Sequence, residues 1–320
     1  LEDLILRKIL KGIAIVLGVL VALIVVAGIV IYVLSEQRIN KTYTVAVAPV
    51  AIPTAEADIL EGERLAKIRG CTGCHMADMA GDSAFIAGAP VGTIPSANLT
   101  AGQGGSGQTY SDTDWVRAIR YGVDQVGRGL WIMPSHEYFS MSDQDLGRLI
   151  AYLKTLPAVD RVHPSRQLGP LFRALLVAGQ LPLLAAEQID LTAAPPAAPT
   201  PGETVEYGQY LVVTCSGCHG ATYTGGPLPG AAPGEPEATN LTPGGVMQNY
   251  SEAQFVAALR TGIRPDGSTI PNEVMPWQVL GGSLTDSELK ALYLFFQSLP
   301  ASTADASQAF VVLRGHISTD

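Results

Sequence analysis

Outside two five-residue runs, the chain of 320 residues has no cysteine. No thiol is left over to serve as a nucleophile, a distant metal ligand or part of a disulfide framework. A basic surface is also missing. The formal net charge is −9, and because residues 1–41 hold five basic and three acidic side chains, the remainder carries −11. That balance argues against nucleic acid as a partner. It suits steering of a basic carrier or docking on a basic subunit, the plain alternative being a solvated face. Charge is absent altogether from residues 12–34, a run rich in Val, Ile, Leu and Ala that is long enough at helical rise to span a bilayer core.

Arg7, Lys8 and Lys11 precede that run, and Ser35, Glu36, Gln37 and Arg38 follow it. The positive-inside rule then keeps the N-terminus cytoplasmic and puts everything after the span on the outer face of the cell membrane. The run exceeds a signal-peptide core and no small-x-small cleavage site follows, which favours an uncleaved single-pass anchor over a cleaved leader. The length suits two domains plus such an anchor.

The cysteines themselves spell C-T-G-C-H at Cys71, Cys74 and His75, and C-S-G-C-H at Cys215, Cys218 and His219. This is the attachment signature of a c-type haem. Two thiols separated by two residues reach the two vinyl groups of one porphyrin as thioethers, and the next residue brings an imidazole beneath the iron. The competing readings are a zinc knuckle, a redox dithiol pair and two disulfides. None of them needs a histidine directly after the second cysteine in both copies. The expected cofactors are two covalently bound haem c groups.

The stretches after the two motifs repeat one another. Asn98-Leu99-Thr100 matches Asn240-Leu241-Thr242, Tyr110-Ser111-Asp112 matches Tyr250-Ser251-Glu252, and Arg120-Tyr121-Gly122 matches Arg260-Thr261-Gly262. Met133-Pro134 matches Met275-Pro276, and Leu156-Pro157 matches Leu299-Pro300. Conserved order at a nearly constant offset marks a tandem duplication. Each copy predicts a helix leading into its motif, near 57–68 and 205–213. A middle helix follows, N-capped at Ser111 or Ser251 and closed by Gly122 or Gly262. A final helix starts at Ser142 or Thr285 and carries an apolar stripe: Leu146, Leu149, Ile150 and Leu153, or Leu289, Leu292, Phe295 and Phe296. Long Gly- and Pro-rich loops with little periodicity lie between.

The predicted layout is an anchor at 1–41, haem domains at 55–160 and 203–302, a connector and Pro/Ala-rich linker at 161–202, and a tail at 303–320. The apolar connector around 168–189, interrupted by Arg173 and Pro182, reads as a packed inter-domain helix, an interfacial helix or a docking element.

His75 and His219 are the proximal ligands that the motifs fix. Met133 and Met275 are the methionines in equivalent places, each held extended by the following proline, and are the expected sixth ligands. His136 is the competitor at the first iron. Met76 and Met79 stand too near His75, Met141 and Met247 lack repeat partners, and His163 and His316 read as surface residues. His/Met ligation fills both axial positions and raises the potential, so each iron is expected to shuttle single electrons without catalysing a reaction. Arg120, Arg260, Trp115, Tyr110 and Tyr250 are candidates for pairing with haem propionates, against the alternative of ordinary surface charge and core aromatics. Asn98 and Asn240 are expected to set turns near the haem edge.

Together the CxxCH, the N-L-T turn, the R-x-G helix end, the Met-Pro and the Leu-Pro helix end resemble the class I cytochrome c fold. The doubled arrangement resembles membrane-anchored dihaem cytochromes c. The resemblance implies an all-α fold, an N-terminal transmembrane helix followed by two tandem class I cytochrome c domains with long loops. It implies haem attachment on the periplasmic or extracellular side, where the topology puts both motifs. It also implies electron transfer without catalysis, with a membrane redox complex as partner: a quinol-oxidising complex, a dehydrogenase or a terminal oxidase. A soluble carrier is a further expected partner and the lipid bilayer the support. Dehydrogenase cytochrome subunits of this kind usually carry three motifs and a C-terminal anchor, which leaves the complex open. The alternative is a dihaem enzyme of peroxidase or thiosulfate-oxidising type. Such an enzyme needs an open or switchable iron or a cysteine ligand, and no cysteine remains.

Overall fold

A computed structural model describes residues 2–181, 184–228, 231 and 234–303. Pro182 of the connector, and the expected tail from residue 304 with His316, lie outside the described residues. In chain order the helices of the first half are α1 (Glu2–Ile39), α2 (Glu56–Ile68), α3 (Cys71–His75), α4 (Asp112–Tyr121), α5 (Ser135–Tyr138), α6 (Asp143–Thr155) and α7 (Pro170–Val177). Those of the second half are α8 (Val205–Leu211), α9 (Ser216–His219), α10 (Glu252–Thr261), α11 (Trp277–Ser283) and α12 (Asp286–Ser298).

The helices begin and end where the local chemistry asks. Ser111 and Asp114 form a reciprocal capping box at α4, as do Ser251 and Gln254 at α10 and Thr285 and Glu288 at α12. Gly122 and Gly262 close α4 and α10 in the left-handed region, at φ 65° and 69°. The stripes of α6 and α12 are buried as their spacing predicts.

The loops hold short strands that the sequence reading lacks. Antiparallel β1 (Ile86–Gly88), β2 (Gly92–Ile94) and β3 (Gln167–Leu168) form one small sheet, with Gly92 opposite Leu168. β4 (Gly226–Pro227) pairs with β5 (Glu237–Ala238). Two or three residues are too few to display a period of two.

The chain packs into two compact units. One holds Leu1–Val47, Ala80–His136 and Ala158–Thr192; the other holds Ala48–Met79, Glu137–Pro157 and Ala193–Asp320.

In the first unit, α1 is the one helix among the described residues that is long and apolar enough to cross a membrane, with a mean hydropathy of 3.3 and no shielding over its apolar window. The connector helix α7 packs against α1. Arg173 donates to Ser35 Oγ at 2.7 Å, pairs with Glu36 at 2.8 Å and lies 4.5 Å above the Tyr32 ring. Glu187 accepts from Arg38 at 2.6 Å and from the Tyr43 hydroxyl at 3.0 Å. A second clamp uses the N-L-T turn. Asn98 Oδ1 accepts from the Thr100 amide at 2.9 Å, while its Nδ2 donates to the Val159 carbonyl at 2.9 Å, tying the loop to the chain beyond α6.

In the second unit, α2 crosses α6 and α8 crosses α12, each crossing made at a glycine. A Cβ at Gly62 would lie 2.0 Å from the Arg148 carbonyl, and one at Gly208 would lie 2.1 Å from the Ala291 carbonyl. Only a residue without a side chain lets the backbones approach this closely. One hydrophobic core contains Leu65 and Ile68 of α2 together with Tyr210, Leu211, Met247, Phe255, Leu289, Leu292 and Phe296. Helix α2 is bonded to α12 as well: Arg64 grips both oxygens of the buried Glu288 at 2.7 and 2.9 Å. Asn240 repeats the turn clamp, bonding the Thr242 amide at 2.9 Å and the Ser302 carbonyl at 2.7 Å.

Candidate functional site

Both cysteine motifs lie in the second unit, each at the end of a helical lead-in. α2 runs through Arg69 and left-handed Gly70 into α3, and α8 passes through a 3-10 turn, Val212–Cys215, into α9. None of the four cysteines is in a disulfide. Burial pushes the Cys71 and Cys215 thiols up to about 12 and raises Cys74 and Cys218 as well. Among the described residues, no group of three or more His, Cys, Asp and Glu side chains is arranged to hold a metal ion.

His219 is buried, 7% exposed, and its Nδ1 faces the Thr239 carbonyl at 2.8 Å. A carbonyl only accepts, so Nδ1 carries the proton and Nε2 keeps the lone pair. This is how an imidazole is oriented for ligation through Nε2. Burial holds the ring below the usual histidine range, with the Thr239 bond opposing in part. His75 ends α3 and is partly buried.

The two Met-Pro pairs share one backbone hydrogen bond across the proline. The Ser135 amide bonds the Met133 carbonyl at 2.9 Å, and the Trp277 amide bonds the Met275 carbonyl at 2.7 Å. Pro276, at φ −75° and ψ 58°, makes this an inverse γ-turn in the second copy. Trp277 is held by its indole N–H on the Ile270 carbonyl at 2.9 Å. Met133 falls in the first unit and Met275 in the second. Both are partly buried, whereas Met79, Met141 and Met247 are core residues and His136 is exposed.

Several buried donors have no hydrogen-bond partner: Arg69 Nε and Nη2, Trp131 Nε1 and Thr214 Oγ1. Each flanks a predicted attachment or ligand residue, with Arg69 near Cys71, Thr214 beside Cys215 and Trp131 near Met133. Buried orphan donors of this kind, together with paired thiols and an oriented imidazole, fit a bulky group with acceptor atoms at these places. The propionate candidates divide. Arg260 is committed to Asp286 at 2.6 Å and to the Gly281 carbonyl. Arg120 is buried, and Tyr110 and Trp115 pack edge to face at 5.2 Å.

Sequence reasoning missed Arg69, Tyr210, Glu137 and the Thr239 carbonyl. Arg69 has no counterpart in the second copy, where Val213 stands in its place, so the repeat comparison passed over it. A backbone carbonyl leaves no signal in a sequence.

A diheme cytochrome c-type protein of Cereibacter sphaeroides is 26% identical over 272 residues, 78% of this chain and 87% of the relative. The gluconate 2-dehydrogenase cytochrome c subunit of Pantoea cypripedii is 35% identical over 102 residues, 30% of this chain and 23% of that subunit. The fructose dehydrogenase cytochrome subunit of Gluconobacter japonicus is 33% identical over 118 residues, 33% of this chain and 24% of the relative. The aligned part therefore spans about a quarter of each dehydrogenase subunit. The cytochrome c profile matches residues 59–157 and 205–300, most of the chain beyond α1, and the chain belongs to the cytochrome c family.

Proposed function

We propose that this chain is a membrane-anchored dihaem cytochrome c that relays single electrons from a membrane dehydrogenase or quinol-oxidising complex to an acceptor on the outer side. The observation that carries the reading is the pair of CxxCH motifs, each inside a segment matched by the cytochrome c family and together using every cysteine. The long relative named as diheme supports the count of two, and the dehydrogenase subunits support the class of donor. The span at α1, with its flanking charges, supports anchoring with the N-terminus cytoplasmic.

When bound, the haems supply one-electron Fe(III)/Fe(II) couples. Cys71 and Cys74 attach the first and Cys215 and Cys218 the second. His75 and Met133 would hold the iron of the first haem, and His219 and Met275 that of the second. The Thr239 carbonyl faces Nδ1 of the His219 ring, and a backbone hydrogen bond spans the proline after each methionine. With those four side chains on the irons, this chain's residues would serve electron transfer and not substrate activation.

The test is expression in a host that matures c-type cytochromes, with haem counted by pyridine haemochromogen. Two haems per chain are expected. Met133→Ala and Met275→Ala should each remove about half of the near-infrared charge-transfer band of methionine ligation. An unchanged band in either variant overturns that ligand assignment, and a count other than two overturns the dihaem reading.

A further inference from the structure

Arg69 is 2% exposed and stands two residues before Cys71. Its Nη1 donates to the Tyr210 carbonyl at 3.0 Å, its guanidinium lies 4.6 Å above the Tyr210 ring, and its own carbonyl accepts from the Tyr138 hydroxyl at 2.7 Å. Tyr210 is on α8, five residues before Cys215, so the side chain reaches from the approach to one motif across to the approach to the other. The two approaches touch. A Cβ at Gly70 would lie 3.3 Å from Thr214 Cγ2, and these residues immediately precede Cys71 and Cys215.

A guanidinium has five donors, and burying it with some unsatisfied is costly. Nε and Nη2 of Arg69 are buried and unbonded. The nearby carboxylate, Glu137, is drawn by the charge of Arg69, and its Oε1 lies 2.9 Å from Ser216 Oγ, inside the second motif. A scaffold role alone would be met by the Tyr210 contacts and does not explain an ion held in this junction.

We propose that Arg69 is a shared electrostatic group of the two haem sites, one buried cation at the junction of the motifs that stabilises the reduced state of both irons. The inference rests on the dihaem reading above. Reduction lowers the charge of a site by one, and a fixed positive charge in a poorly screened interior favours that state. An electron passing between the sites leaves one iron ferric as the other becomes ferrous, with no proton required. A cation common to both therefore raises each potential against the outside donor while leaving the exchange between them little changed.

Redox titration of the full chain in detergent, with EPR to resolve the two centres, tests this. Arg69→Gln and Arg69→Met both remove the charge and serve as mutual substitutes in case one fails to fold. In either, both midpoints should fall together, by about tenfold in the reduced-to-oxidised ratio or about 59 mV for a one-electron couple. Arg69→Lys should stay close to the parent. The proposal is overturned if one midpoint moves alone, if neither moves, or if Arg69→Lys falls as far as the neutral variants. It is also overturned if both neutral variants lose haem while Arg69→Lys keeps two, since that makes the residue scaffold only. Haem counts on the unsubstituted chain report separately on the dihaem reading.

Discussion

Asn98 and Asn240 occupy the same place in the two repeats and make the same two kinds of bond, yet their environments differ. Asn98 is 1% exposed, whereas Asn240 is only partly buried. Removing Asn98 strands the buried Thr100 amide away from water, a loss of about 1–3 kcal/mol. At Asn240 water can replace the amide, so Asn240→Ala should cost less than Asn98→Ala. Thermal unfolding of the two variants checks the order; equal losses would show that burial is not what sets the cost. The N-L-T triplets were visible in the sequence as a repeat and as turns. Their role in fastening the chain beyond the last helix of each copy was not, because the partners are backbone carbonyls about sixty residues away.

At the scale of elements, the connector shows what composition leaves open. An apolar stretch broken by Arg173 and Pro182 suits a packed helix or a membrane-surface one equally. In the structure α7 lies against the end of α1, and the arginine that breaks the apolar run is the residue that binds it there, through Ser35, Glu36 and Tyr32. The chain beyond α7 is fastened in turn by Glu187. Burial works to raise its pKa, but the hydrogen bonds from Arg38 and Tyr43 and the charges of Arg38 and Lys41 outweigh it and hold the carboxyl below its ordinary range. A depressed pKa in the folded state means that stability is gained above the unfolded carboxylate range and lost as pH falls through the folded value. Glu187→Gln should therefore cost about 1 kcal/mol near neutrality, a modest figure because both partners keep some contact with water. The difference should vanish in acid. Denaturant melts of both proteins across pH measure it, and a gap that persists at low pH would refute the assignment.

For the whole molecule, the excess of acidic residues beyond position 41 is a property of the field and not of any one contact. If that field steers a basic carrier, the rate of electron exchange falls as salt rises, and an acidic carrier shows the reverse. Stopped-flow reduction by carriers of opposite charge over a range of ionic strength decides it; a rate indifferent to salt would make the acidic surface a solvated face. The second unit also joins parts that the repeat keeps far apart. α2 and α6 belong to the first copy by sequence, but Leu65 and Ile68 share a core with the second copy, and Arg64 grips Glu288. The repeat analysis compared the copies with each other and carried no information on which faces of the two meet.

The sequence by itself pointed to the attachment chemistry, because thioether spacing and the following histidine are local features written within a few residues. It also determined the helix limits, since caps, closing glycines and apolar stripes act over one or two turns. Only the tertiary structure decided that α7 binds α1, that glycines at 62 and 208 allow the helix crossings, and that the approaches to the two motifs touch with Arg69 buried between them. Those outcomes depend on long-range packing and on backbone carbonyls as partners, and neither is encoded in any spacing along the chain.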